Sequence, residues 1–209
     1  MKSKIIIKDA FILFIITIIS GALLGYVYEL TKGPIEEQNL LIKQESYKTV
    51  FSDAESFEES EDLSNAILEA REVLDEQGFE NITIDEVLLA KDKSNNMMGY
   101  VMTITTGEGY GGDISLTIGM KQDGTLNGIE ILSINETAGL GQKANDTEFK
   151  EQFSNKKVEA FVYTKTGKTA DYEIDALSGA TITTSAVMKA VNAGIFFVNN
   201  CVENLEGGQ

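Results

Sequence analysis

The sequence predicts an α+β protein: an apolar N-terminal helix, a helical lead-in, then a mostly antiparallel twisted sheet packed by helices. Three observations predict it. No charged residue occurs between Ala10 and Tyr28. From Ile82 onward the apolar spacing shortens to that of strands, in short runs divided by turn residues. Near the end a helical spacing returns at Ala186, Val187, Ala190, Val191, Gly194, Ile195 and Val198.

Taken in order, residues 1–8 form a short basic tail with Lys2, Lys4 and Lys8, and residues 9–29 form an anchor. Nineteen charge-free residues at about 1.5 Å each make a helix of about 28 Å, close to the roughly 30 Å hydrocarbon core of a bilayer. Lysines before it and Glu29, Glu36 and Glu37 after it place the N-terminus in the cytoplasm and the remainder outside. A cleaved signal peptide is the competing reading: Ser20-Gly-Ala22 is small enough for a cleavage site, but there is no clean Ala-x-Ala and a signal's apolar region is usually shorter, so a retained anchor is favoured. Residues 30–80 read as a helical lead-in. Gly33-Pro34 puts proline at the first position of a second helix that runs to about Val50. The acidic stretch from Phe51 to Asp62 reads as a solvated connection. Leu63 to Gln77 carries an amphipathic helical spacing closed by Gly78.

Residues 81–205 read as the folded domain, followed by a tail at 206–209. Four strands are expected at 82–90, 98–106, 113–120 and 125–134, joined by Ser94-Asn-Asn96, a glycine loop and Gln122-Asp-Gly124. A short helix follows over 146–153. Two more strands, 158–163 and 171–174, flank Thr166-Gly167, and a helix from about Thr184 to Val202 closes the domain.

Composition narrows the chemistry. A net charge of −16 and a pI near 4.4 argue against a nucleic-acid partner, whose phosphates would be repelled. The chain has no histidine and one cysteine, Cys201. Serine and cysteine triads, His-rich zinc sites, His-ligated haem and a four-cysteine iron–sulfur cluster are therefore all excluded within it. Cys201 reads as a small buried hydrophobe in the last helix. If the protein moves electrons, its carrier is organic.

The stretch Asp175-Ala-Leu-Ser178-Gly-Ala-Thr181-Ile-Thr-Thr184 brings hydroxyls and two small residues to a helix N-terminus. Free backbone N–H groups there suit a phosphate, and small residues let it approach; taken alone, Ser and Thr at this place also serve as plain N-caps. Two glycine loops stand apart from it. Gly107-Glu-Gly109-Tyr-Gly111-Gly112 matches G-x-G-x-x-G, but a strand and not a helix follows, so a dinucleotide reading is rejected. It is either a hairpin connection or a loop against which a flat ring rests, with Tyr110 to cover it. Glu136-Thr-Ala-Gly-Leu-Gly141 is either a turn into the helix at Asp146 or a cofactor wall, with Leu140 as its apolar face and Thr137 as its polar handle.

Together these stretches resemble the FMN-binding domain family, most closely the G subunit of the Rnf electron-transport complex, and next the C subunit of sodium-pumping NADH:quinone reductase. The resemblance rests on Asp175-x-x-Ser178-Gly-Ala-Thr181, on Gly109-Tyr-Gly-Gly-Asp-Ile114 with Asp123-Gly124 beyond it, and on Glu136-Thr-Ala-Gly-Leu-Gly141. The family commonly has proline where this chain has Ala138. The resemblance implies FMN held by a phosphoester to Thr181, with Thr183 the alternate, placed there by a separate flavin transferase. It implies flavin contacts from Asp175, Ser178, Gly179 and Ala180 beside the attachment point, from Tyr110 and Gly111, and from Thr137, Gly139, Leu140 and Gly141. It also implies a single-pass, extracytoplasmic electron carrier, anchored by its helix in membrane lipid, among membrane and iron–sulfur subunits of a ferredoxin:NAD oxidoreductase that moves sodium or protons. A free-standing anchored flavoprotein, and a non-redox assembly or adhesion module, are the other two functions the residues allow.

Overall fold

The computed structural model describes residues 2–202, with side chains from residue 5 onward. The 206–209 tail, the last three residues of the 81–205 domain and Met1 lie outside the described residues. The chain divides into two compact units, one up to Ile42 and one from Lys43 onward.

The first unit consists of most of α1 (Lys2–Val50), a single continuous helix. Here the expectation of a second helix starting at Pro34 is corrected, because Pro34 sits inside α1. Proline removes one amide donor and crowds the carbonyl four residues back, at a cost of about 3 kcal/mol. Its fixed φ is itself helical, and the good helix formers after it (Glu36, Glu37, Gln38, Leu40, Leu41) carry the helix through. Within the apolar part, Thr17 Oγ1 donates to the Leu13 carbonyl at 2.7 Å, and just beyond it Thr31 Oγ1 donates to that of Val27 at 3.0 Å. Hydroxyls satisfied inside their own helix suit a segment surrounded by hydrocarbon. The stretch is long and apolar enough to cross a membrane.

The second unit is built on a five-stranded, fully antiparallel sheet in sequence order: β1 (Ser56–Glu59), β2 (Ile82–Lys91), β3 (Met97–Thr106), β4 (Ile114–Lys121) and β5 (Leu126–Ile134). The strands expected from the spacing are β2 to β5, and their turns are built by the residues named for them. The Asp92 carboxylate accepts from Ser94 N and Asn96 N, both at 2.8 Å. The Asp123 carboxylate accepts from Thr125 N at 2.9 Å, and Gly124 takes φ +81°. Such side-chain caps are why Asp and Gly mark tight turns. The stretch after Phe51 is more than a solvated connection: Phe51 and Ala54 are buried, and β1 pairs with β2 at the sheet edge. Phe57 packs on Tyr47 with ring centroids 5.3 Å apart. The acidic side chains that read as solvated do face out, and charge on an edge strand discourages further pairing.

Both faces of the sheet are covered. On one, α2 (Glu61–Glu76) and α4 (Thr181–Phe197) bury Leu63, Ala70, Leu74, Ala186, Ala190 and Val191 against Met102, Ile104, Leu116 and Ile118. Alanines and Gly194 bring α4 close; a Cβ on Gly194 would lie 2.9 Å from Ile104 Cδ1. The last turn of α1 (Tyr47, Val50) and the segment just after it (Phe51, Ala54) cover the other face, over Leu88, Ala90 and Val101. Gly119 of β4 makes that approach feasible, since a Cβ there would come within 2.9 Å of Val50.

Two smaller expectations change. The strands expected at 158–163 and 171–174 are shorter and shifted toward the C-terminus, as β6 (Val162–Thr164) and β7 (Glu173–Asp175), and they pair in parallel. Carboxylates organise the loop between them: Glu173 accepts from Thr169 N at 2.6 Å and Ala170 N at 3.2 Å, and Asp175 from Lys168 N at 2.7 Å. The closing helix begins at Thr181, not Thr184, and ends in a wider π turn, Val198–Val202. Cys201 lies half-buried on that turn, and burial pushes its thiol pKa up. A short α3 (Thr147–Lys150), flanked by 3₁₀ turns, occupies the helical stretch expected over 146–153.

Candidate functional site

Three segments meet at the N-terminal end of α4 around a cavity of about 510 Å³. The helix contributes Ala180, Thr181, Ile182 and Thr183, with Gly179 just before it. The loop after β5 contributes Glu136, Thr137, Leu140 and Gly141, and the loop after β3 contributes Tyr110.

No side chain caps α4: Ala180 stands at the N-cap without a side-chain hydrogen bond. The first-turn N–H groups therefore keep the donor capacity and partial positive charge that suit an anion. Hydroxyls that could have capped are used elsewhere. Thr184 Oγ1 accepts from Leu177 N at 3.0 Å and donates to the Ala180 carbonyl at 2.9 Å, bracing the loop from the buried side. Thr183 is buried against Gly141. Thr181, half-buried, is left on the cavity wall.

The cavity rim is apolar and unusually open to solvent. Tyr110 is 72% exposed, Ile182 53% and Leu140 43%. Large apolar groups gathered at the mouth of one cavity mark a binding surface more than scattered exposure does.

Glu136 is the opposite case, a carboxylate only 6% exposed. Its Oε1 accepts from Tyr110 N at 2.7 Å and Gly111 N at 3.2 Å, so one acid ties the two glycine loops together. The glycines make room for it. A Cβ on Gly109 would collide with the Gly112 carbonyl and reach within 3.0 Å of Glu136 Oε1, and one on Gly111 would collide with the Asn135 carbonyl. At Gly141 a Cβ would lie 2.6 Å from Thr183 Oγ1 and 2.8 Å from both Cβ and Oε2 of Glu136. The first loop is also pinned to α4 by Lys189, whose ammonium meets both oxygens of Glu108 at 2.8 and 2.9 Å.

Of the residues singled out by sequence, Thr181, Gly179, Ala180, Thr183, Tyr110, Thr137, Leu140 and Gly141 line this one cavity. Gly111 stands behind it, donating to Glu136. Gly139, at φ +77°, shapes the second loop without lining the cavity. Ser178 and Asp175 are directed elsewhere, to a neighbouring depression of about 380 Å³ beside Lys143 and Gln152. Sequence reasoning assigned no role to Glu136 or Ile182. Ile182 lies one turn before Ala186 on the same stripe and reads as core. Glu136 opens a loop in a strongly acidic chain and reads as surface; the small residues that follow it are the signal that it is enclosed.

Taken together, an uncapped helix N-terminus, a hydroxyl within its first turn, an apolar rim and glycine cradles fit a phosphorylated, flat, largely apolar ligand. Comparison with known proteins agrees: residues 109–195 match the FMN-binding domain family, a span from within the first glycine loop, through the second, to near the end of α4. Residues 1–50 match the RnfG N-terminal region. Along its length the chain is 32% identical over 200 residues to the G subunit of the Na(+)-translocating ferredoxin:NAD(+) oxidoreductase complex of Acetobacterium woodii, covering 94% of this chain and 93% of that one. The G subunit of the proton-translocating ferredoxin:NAD(+) oxidoreductase complex of Clostridium ljungdahlii is 29% identical, covering 85% and 83%. A solved structure of the C subunit of the Na(+)-translocating NADH-quinone reductase of Parabacteroides distasonis overlaps 55% of this chain and 62% of that one, at 24% identity and a TM-score of 0.45. The class is that of an FMN-binding domain preceded by an apolar helix. Within it, the chain belongs to the family of G subunits of ion-translocating ferredoxin:NAD(+) oxidoreductase complexes.

Proposed function

We propose that this protein is a membrane-anchored, extracytoplasmic flavoprotein that relays electrons through FMN joined covalently to Thr181. It works within an Rnf-type complex beside membrane and iron–sulfur subunits, and the complex couples ferredoxin and NAD to sodium or proton movement. The observation that carries the reading is the position of Thr181: a cavity-lining hydroxyl in the uncapped first turn of α4, beneath exposed Tyr110, Leu140 and Ile182.

Thr181 would hold the phosphate through its oxygen, with first-turn N–H groups offsetting the charge. Tyr110, Leu140 and Ile182 would shelter the ring. When bound, FMN supplies the capacity to take up and release electrons, and its neighbours tune that capacity. A separate flavin transferase makes the attachment, reading the loop that contains Asp175 and Ser178; their position outside the cavity suits that role, since a second protein could reach them. Attachment also retains the cofactor outside the cell, where a released flavin is lost. Lys8 before the apolar stretch and Glu29, Glu36 and Glu37 after it support the orientation.

Co-expression with a flavin transferase, followed by denaturing gel electrophoresis, tests this. Wild type is expected to run as a fluorescent band, and Thr181→Val as a folded, colourless protein. A Thr181→Val chain that still carries covalent flavin would falsify the assignment.

A further inference from the structure

Glu136 has a second oxygen that the fold does not use. Oε1 is committed to Tyr110 N and Gly111 N, whereas no hydrogen bond reaches Oε2 among the described residues. Yet Oε2 is not sealed away without a partner: the buried unpartnered atoms among the described residues belong to Asp75 and Thr103, and Glu136 lines the cavity. A carboxylate so deeply enclosed, with one oxygen fixed by two backbone donors, the other without a hydrogen bond among the described residues, and its side chain on the wall of a ligand cavity, is a costly arrangement unless the free oxygen acts on the ligand.

We propose that Glu136 is a potential-setting positioning residue: its Oε1 holds the two glycine loops in register, and its Oε2 presents fixed negative charge to the bound flavin. This rests on the flavin reading above and goes beyond it by naming the side chain that tunes the cofactor. Reduction of the ring by two electrons with uptake of one proton adds one net negative charge to it. A carboxylate in the same low-dielectric cavity opposes that added charge, so it favours the oxidised ring and makes the bound flavin a stronger reductant. Placing the charge on a loop-tying acid makes it immobile, as an exposed side chain would not be.

Glu136→Gln separates charge from structure, because the amide oxygen can still accept from Tyr110 N and Gly111 N. In the full chain, flavinylated by co-expression with a flavin transferase and titrated with dithionite against reference dyes, the variant's flavin should be easier to reduce. The expected change is at least tenfold in the redox equilibrium, about 30 mV more positive for a two-electron couple. A fully loaded variant with an unshifted or more negative potential overturns the proposal. Should Glu136→Gln fail to fold or to load, redox-difference infrared spectra of wild type decide the matter: a carboxylate band that changes on reduction supports the proposal, and its absence overturns it. A wild-type chain that never acquires flavin counts against the flavin reading itself, which keeps the two failures apart.

Discussion

Gly141 has no room for a side chain, and the reason is not its backbone angle. Thr183 Oγ1 and the Glu136 side chain close in from two directions, each within 2.8 Å of where a Cβ would stand. Gly141→Ala must therefore push the second loop off the helix or displace Glu136. Overpacking of this kind costs about 1 to 3 kcal/mol, and chemical denaturation should show a loss in that range, with covalent flavin loading reduced as well. An unchanged midpoint with full loading would mean that the loops are not held as described. The helix start beside Thr181 was legible in the sequence from its hydroxyls and small residues, which fit a plain N-cap as well as a ligand site. Glu136 was not, because the identity of a charged residue says nothing of whether the fold will enclose it. Its burial depends on three glycines in two loops and on the start of a helix, contacts that no local window contains.

Among the elements, the last turns of α1 behave as part of the sheet's packing rather than as a tether. Tyr47 lies under Phe57, its hydroxyl donates to the Glu86 carboxylate, and Lys43 meets the same carboxylate at 2.9 Å. Burial first, and then the bond to Glu86, raise the pKa of the Tyr47 phenol above its ordinary value of 10.0. Tyr47→Phe should lose about 1.5 to 3 kcal/mol, the usual worth of a hydrogen bond to a charged partner, read from denaturant midpoints of the full chain in detergent. A change below a few tenths would show the contact to be incidental. Elements with a strong period of their own, β2 to β5 and α2, could be read in advance to within a residue or two. What depends on docking could not: β1 needs the free edge of β2, and the strands expected at 158–163 and 171–174 have the bounds and parallel pairing of β6 and β7 only across a loop folded by Glu173 and Asp175. Pro34 misled for a related reason, since a proline predicts a helix start only where its neighbours do not insist on continuing.

For the whole molecule, acid below the ordinary carboxylate range should be destabilising. Asp92 is lowered in pKa by Asn96, Asp123 by Thr125 and Glu173 by Thr169, in each case chiefly through hydrogen bonds to the ionised form. A carboxylate whose folded pKa is depressed adds stability above its ordinary pKa and loses it as pH falls toward the folded value. Melting temperature should therefore hold down to the ordinary values of 4.5 for glutamate and 3.8 for aspartate, then fall below them. A melting temperature that rises through that window would contradict these turn contacts. At the same scale stands the claim that an anchored chain of this charge carries a tethered flavin on one hydroxyl. The most direct measurement is the intact mass of the chain, purified from a host that makes flavin transferase, with the adduct then mapped by peptide. A gain of roughly 440 Da, one FMN less the water lost on phosphoester formation, on the peptide containing Thr181 is the result expected. An unmodified mass, or an adduct on a peptide that lacks Thr181, would contradict it.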